Sequence, residues 1–370
     1  DDFEALLFLG VRTSENREDG AGDEILGTEF EQGAALAKLS YDIDASSSVT
    51  FAYQRNQIPE RDVNYNVFDP SVDSAFGRVD RDISDATAYL EYGYNPAGNP
   101  LLDLTARLQF KREEVALDPV VNPFGTDLLE ADHLTETTSL VIENTAVFGA
   151  NELLTGIEIG RRERSALTDA GINDTSAPGG TDDYIALFLQ NEIAVSDRFT
   201  LTPSLRYEMQ ELTSDNNPDL PDGTEFEDSS WTGGISANYE ITETFAVFGT
   251  IAHNENLPIL DNLTNDNIAF TEQADTIEIG ASYDGFDVFT RDDTLAAKLT
   301  IYQTDISDGR TYSAGMGRFE SEIALEGIEL EASYVHPQFY LDLSAAANRG
   351  KVSELSDGTE VDDFFEQSTA

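Results

Sequence analysis

The chain is written in period two. Thr200–Glu211 (TLTPSLRYEMQE) places Leu201, Pro203, Leu205, Tyr207 and Met209 on one face, and Thr200, Thr202, Ser204, Arg206, Glu208 and Gln210 on the other. Successive side chains of an extended strand point to opposite faces, so this spacing predicts a strand with one apolar face. The same split recurs at Ile235–Ile241 and at Thr276–Asp284, and Leu102–Lys111 and Leu295–Thr304 read alike. No segment shows a convincing helical period. Reading every such stretch predicts about fifteen strands, near 1–13, 31–43, 48–56, 83–95, 101–113, 135–148, 153–163, 182–195, 198–211, 230–241, 244–254, 274–284, 294–305, 323–335 and 339–349. Soluble strands average about five or six residues, whereas roughly ten tilted residues cross a bilayer.

The links between strands alternate in length. Short ones fall at Asp44–Ser47, Pro96–Pro100, Gly149–Glu152, Ser196–Asp197, Thr242–Glu243 and His336–Gln338, with a middling one at Gly285–Asp293. Between them lie long polar links at 14–30, 57–82, 114–134, 164–181, 212–229, 255–273 and 306–322. An up-and-down barrel with tight turns at one rim and long loops at the other produces this alternation, whereas Greek-key sandwiches mix the two lengths. The expected fold is therefore all-β: a transmembrane antiparallel up-and-down β-barrel whose apolar faces meet lipid. Leu201, Leu205, Tyr207, Ile235, Tyr239, Ile277 and Ile279 are expected outside, and Arg206, Glu208, Asn238 and Glu278 inside. Arg107, Lys111 and Lys298 share the inner face, so the lumen must be wet or filled.

Composition narrows the function classes. Asp and Glu number 72 against 21 Lys and Arg, a formal charge of −51, which excludes phosphate-neutralising contact with nucleic acid. There is no Cys, and His133, His253 and His336 are the three histidines. Disulfide frameworks and thiolate metal sites are thereby excluded, and little is left for an imidazole cluster. The hydrophobic share of 40% and aromatic share of 10% are too high for a disordered polyanion. The longest apolar runs, Ala5–Val11 and Ile185–Leu189, are too short for a membrane helix. The chain opens at Asp1 without a Met or a signal segment. With an odd strand count and a polar stretch running to Ala370, residues 1–370 are expected to be one incomplete barrel domain with further pieces beyond both ends.

Several segments carry a resemblance. Tyr184–Glu208 (YIALFLQNEIAVSDRFTLTPSLRYE) is similar to the recurrent strand–turn–strand of TonB-dependent outer-membrane receptors, with Ser204 where that motif has Gly. Gly327–Val335 (GIELEASYV) and Leu341–Gly350 (LDLSAAANRG) resemble two later strands of the same family. Glu255–Leu263 (ENLPILDNL) is similar to a proline box of the haem and haemoglobin receptor branch, matching at Pro258, Leu260 and Leu263. Asn265–Gly280 resembles the box that follows, matching at Asn265, Glu272, Glu278 and Gly280. That branch has an iron-ligating His between its boxes, where this chain has Thr264; His253 stands just before the first box instead.

The resemblance implies a barrel of about 22 strands around a plug, with the plug and the final strands outside this sequence. It implies active uptake of an iron carrier, haem or a ferric siderophore, driven by the TonB complex through the plug, in the outer membrane of a Gram-negative bacterium. No resident cofactor and no catalysis are expected, and the receptor is expected to be monomeric among lipid and lipopolysaccharide. Ligand contact is expected in the loops after the eleventh and thirteenth strands, at His253, Asn256, Phe270, Tyr312 and Phe319, where aromatics can stack on a porphyrin or a catecholate. The acidic runs Asp215–Asp228 and Asp261–Asp266 offer oxygen ligands to Ca²⁺ or are simply solvated. The alternative function is a passive porin, which needs no plug. An enzyme is disfavoured because no Ser/His/Asp or paired-carboxylate set stands out.

Overall fold

The structure, a computed structural model, describes residues 2–25, 27–65, 77–122, 131–167, 178–217, 220–263, 271–313, 317–355 and 363–369. The side chains of residues 131, 261, 310–321 and 352–369 lie outside that description. The strands are β1 (Phe3–Ser14), β2 (Arg17–Glu18), β3 (Glu24–Ile25), β4 (Phe30–Asp44), β5 (Ser47–Asn64) and β6 (Arg78–Tyr94). They continue with β7 (Asp103–Val121), β8 (Ala131–Phe148), β9 (Asn151–Leu167), β10 (Gly180–Ser196), β11 (Phe199–Ser214) and β12 (Glu225–Glu240). The last are β13 (Phe245–Asn256), β14 (Glu272–Phe286), β15 (Thr294–Ser313), β16 (Gly317–His336), β17 (Phe339–Leu355) and β18 (Asp363–Thr369).

Apart from the small β2–β3 hairpin, these strands form one sheet of 16 in which each pairs with its neighbours in sequence. All pairings are antiparallel, so alternate links necessarily share a rim, and the tight turns at 149–150, 197–198 and 337–338 lie together. Each of the fifteen expected strands is present. A sixteenth, β18, pairs with β17 from Val352↔Asp363 to Ala346↔Thr369, so the polar C-terminal stretch ends in a strand that its composition did not announce.

The long links are shorter than expected because the strands run on beyond the apolar band. Most of the 306–322 link is strand, with β15 and β16 paired out to Ser313↔Gly317, and β5 and β6 stay paired out to Asn64↔Arg78. Polar residues on both faces erase the alternation there, yet an antiparallel ladder in water needs only backbone pairing. Two such extensions carry bulges, where the register slips between Glu60/Val63 and between Ile306/Gly309. Asp62 (φ 54°) and Asp308 (φ 53°) sit at these slips, in the left-handed conformation that Asp tolerates better than most residues.

One face of the sheet is apolar and uncovered: Ile251, Ile277 and Ile279 are 65%, 58% and 63% exposed, and Leu205, Ile235 and Tyr239 share their face and remain exposed. A single layer with no protein against its greasy side is the arrangement lipid requires. Tyr207 and Trp231 pack at 4.4 Å with their rings tilted by 39° towards the long-loop end of this face, while Phe199 and Tyr239 meet edge-on at 6.4 Å near the tight turns. The two described hydrophobic cores lie at the long-loop end, where strand extensions and loops fold onto one another. One joins Val63, Val79 and Leu117; the other joins Leu212, Leu260 and Leu263.

Candidate functional site

The polar face of β9–β12 carries a connected charge network. Glu158, Ala186, Glu208 and Ser230 stand in one cross-strand row. Ala186 keeps the middle of the row low and is fully buried, and Arg206 reaches across to both carboxylates, donating to Glu158 at 3.0 Å and to Glu208 at 2.6 Å. The Tyr184 hydroxyl donates to Glu158 at 3.3 Å. One turn of the ladder further out, Arg162 donates to Asp182 at 3.1 Å and the Gln210 amide donates to the same carboxylate at 2.9 Å. Asp182 is 2% exposed. The side-chain carbonyl oxygen of Gln210 is buried and has no partner among the described residues.

A loop roofs this network. After β13 the chain turns through a short 3-10 segment, Leu260–Asn262, and drops Leu260 and Leu263 against Leu212, Leu220 and Phe226. Leu212 and Phe226 are cross-strand partners on the polar-face parity, so the segment folds over the lumenal side. Asn217 donates to the Leu263 carbonyl at 2.7 Å, Asn262 accepts the Ile259 N–H at 2.8 Å, and Thr271 donates to Asp228. Pro258, Leu260 and Leu263, the positions that match the proline box, are thus buried anchors of the roof.

Under the roof is a hollow of about 570 Å³ bounded by Glu158, Arg162, Asp182, Arg206, Glu208, Gln210, Glu255, Asn256 and Glu272, with Leu257–Ile259 above. Asn256 belongs to its wall and donates to Glu272 at 3.0 Å. His253 does not: it shares the outward parity of Ile251, and its ring lies between Asp275 (Nδ1 to Oδ1, 2.8 Å) and Glu255 (Nε2 to Oε1, 3.3 Å). Pairing of β12 with β13 ends at Gly233↔His253, which leaves the Trp231 N–H without a strand partner; the Glu255 carboxylate accepts it.

Phe270 lies outside the described residues, as do the side chains of Tyr312 and Phe319, whose backbones sit at the outer ends of β15 and β16 in the pairs Tyr312↔Arg318 and Thr311↔Phe319. Among the described residues no group of three or more His, Asp or Glu is arranged to hold a metal ion. In the Asp215–Asp228 run, Asp222 accepts the Asn216 N–H and Asp228 the Ser229 N–H. Most of the Asp261–Asp266 run lies outside the description. The alternation puts Arg206, Glu208 and Gln210 together on the inner face but does not single out Glu158, Arg162 or Asp182. Their signal was charge at inward parity in otherwise apolar strands, as in the TDDYIALF run of β10.

The profile described as TonB dependent receptor-like, beta-barrel, matches residues 24–366. The heme transporter BhuA of Brucella ovis is 22% identical over an alignment 369 positions long that covers 96% of this chain and 52% of BhuA. The chain therefore spans about half the length of the curated relatives it matches. Among solved structures, the Serratia marcescens hemophore receptor HasR, in complex with its hemophore HasA and heme, aligns with a TM-score of 0.76 at 14% identity, covering 95% of this chain and 59% of HasR. The copper transporter OprC aligns at 0.74 with 15% identity, covering 96% and 58%. At these identities the solved structures establish the fold, and the profile establishes the lineage: the chain belongs to the TonB-dependent receptor-like β-barrel family.

Proposed function

We propose that this chain is the barrel of an outer-membrane receptor of a Gram-negative bacterium that imports an iron carrier, haem or a ferric siderophore, with energy delivered by TonB through a plug. The observation that carries the reading is the roofed hollow: the 257–263 segment is packed down over a charged lumenal wall, as suits capture and release of a bound molecule more than free diffusion through an open pore. BhuA, described as a heme transporter, and HasR, solved with heme, support iron-carrier cargo.

Within this reading ligand contact falls at the outer ends of β13–β16, around His253, Asn256, Phe270, Tyr312 and Phe319. A haem ligand must present a neutral imidazole nitrogen to the iron, and both His253 nitrogens face carboxylates, so ligation there requires one of these contacts to open. Lipopolysaccharide would surround the outer half of the wall, and the receptor would act as a monomer.

The test is growth of an iron-starved host lacking its own receptors and expressing the full-length gene. Growth on haem or on ferric siderophores that vanishes in a TonB-deficient strain is the expected result. Growth that survives loss of TonB would favour the passive pore.

A further inference from the structure

We propose that the hollow beneath the 257–263 roof seats a cationic hydrogen-bond donor, a primary ammonium or a guanidinium, carried by the transported molecule. The proposal rests on the uptake reading above and deepens it by naming the chemistry of the cargo.

The charge of the hollow is lopsided. Five carboxylates (Glu158, Asp182, Glu208, Glu255 and Glu272) line it against two guanidiniums, Arg162 and Arg206. The two arginines are already engaged, Arg162 by Asp182 and Arg206 by Glu158 and Glu208. An incoming anion would have to break those pairs within a wall of like charge. The described roof adds no cation to offset the excess: Leu257–Leu263 (LPILDNL) contains no Lys, Arg or His.

The hydrogen-bond inventory runs the same way. Ionised carboxylates only accept, and the buried Gln210 carbonyl, nine-tenths removed from solvent, lacks a donor among the described residues. Each of the five carboxylates already takes part in at least one bond, and the second lone pair of each oxygen is the acceptor capacity that an incoming donor would use. An ammonium supplies three donors and a guanidinium five, and charge-assisted bonds to carboxylates are about twice as strong as neutral ones. Haem propionates and catecholate oxygens bring the opposite sign and no donors. Within the iron-carrier class the hollow therefore selects carriers with a cationic arm.

The experiment uses the full-length receptor in lipid nanodiscs and three probes: a ferric tris-hydroxamate ending in a primary ammonium, its N-acetyl derivative of the same shape without the charge, and haem. Wild type is expected to bind the ammonium form about tenfold more tightly than the N-acetyl form, the size of one charge-assisted contact, and the preference should shrink as salt is added. Glu255→Gln/Glu272→Gln keeps the side-chain shape and one acceptor oxygen at each position while removing two charges; it should erase most of the preference by weakening binding of the ammonium form, with heat-modifiable gel migration verifying the folded barrel. Equal binding of the two hydroxamates by wild type, binding of haem alone, binding of none of the three, or a preference indifferent to both salt and the double substitution would each overturn the proposal. An arginine of the receptor's own chain filling the hollow would appear as equal binding. TonB-dependent growth on haem that persists in any of these cases leaves the uptake reading standing while the cationic seat falls.

Discussion

Phe188 of β10 lies across Gly156 of β9: a Cβ built on that glycine would stand 2.2 Å from the phenyl Cζ. The two are direct cross-strand partners. The relationship repeats on the lumenal face, with Tyr184 over Gly160, Phe248 over Gly280 and Tyr302 over Gly327, each again a directly paired couple. A ring laid across a glycine covers backbone that has no side chain to shield it and pins the register of the two strands. Gly156→Ala must push the ring aside and is expected to lower stability by about 1–2 kcal/mol, the ordinary cost of overpacking. Phe188→Ala should make the second substitution nearly free. A double-mutant cycle by urea unfolding in micelles measures the coupling, and additive losses would show that the ring and the glycine act separately.

Leu205 stands on the uncovered apolar face, paired with Leu189 on one side and Gly233 on the other. Leu205→Arg places a guanidinium against hydrocarbon and should cost roughly 2–4 kcal/mol near the middle of the bilayer. Reversible folding into vesicles is the measurement. Arg at the lumenal neighbour Ser204 should cost far less, and equal costs at both positions would contradict the assignment of faces.

The turn between β14 and β15 is built around the Asp293 carboxylate. It accepts the N–H groups of Val288, Phe289 and Thr290, the Thr290 hydroxyl, and the Tyr334 hydroxyl from β16 at 2.8 Å. Burial pushes its pKa up, but the Tyr334 bond and the backbone donors of Thr290 and Phe289 outweigh this and hold it at about 2. A depressed carboxyl pKa stabilises the fold above the unfolded value of 3.8, and that stabilisation is lost as pH falls through the folded value. Wild type should therefore lose stability between about pH 4 and pH 2 through this group, and Asp293→Asn should lack that part of the slope. Tyr334→Phe should move the loss to higher pH. Denaturant midpoints across that range report it, and identical slopes for wild type and Asp293→Asn would remove Asp293 from the account.

Leu263 is 1% exposed at the foot of the roof, against Leu212. Leu263→Ala should destabilise this local unit by about 2–4 kcal/mol through lost burial and the cavity left behind. The barrel below would remain, because its ladders do not depend on the roof. Limited proteolysis should then cut between 257 and 271 well before any strand, and a variant as resistant as wild type would show that the roof does not rely on this anchor.

His253→Ala divides the two cargo chemistries. If His253 reaches haem iron, growth on haem disappears in the variant and siderophore use is spared. Unchanged growth on haem would remove His253 from the ligand set and leave it as the outward-facing link between Glu255 and Asp275.

Fifteen of the sheet's strands, their faces and the shared rim of the tight turns were legible in the chain, because a side-chain period of two and an alternation of link lengths are one-dimensional signals; β18 and the polar strand extensions, which lack that period, were not. Leu205, Ile235 and Ile279 could be assigned outward, and Arg206 and Glu208 inward, without coordinates. Period two names a face but not a partner. That Arg206 sits between Glu158 and Glu208, residues 48 and 2 positions away, depends on the register of β9, β10 and β11, which no stretch of sequence states alone. The outward parity of His253 was open to the same counting, but its engagement by Asp275 was not. The roof was illegible for a different reason: LPILDNL has no period, and only the exposed ends of β11 and β12 give Leu260 and Leu263 something to bury against. Local alternation thus determined the wall of this protein, while contacts across strands, distant in sequence and adjacent in space, decided what the wall encloses.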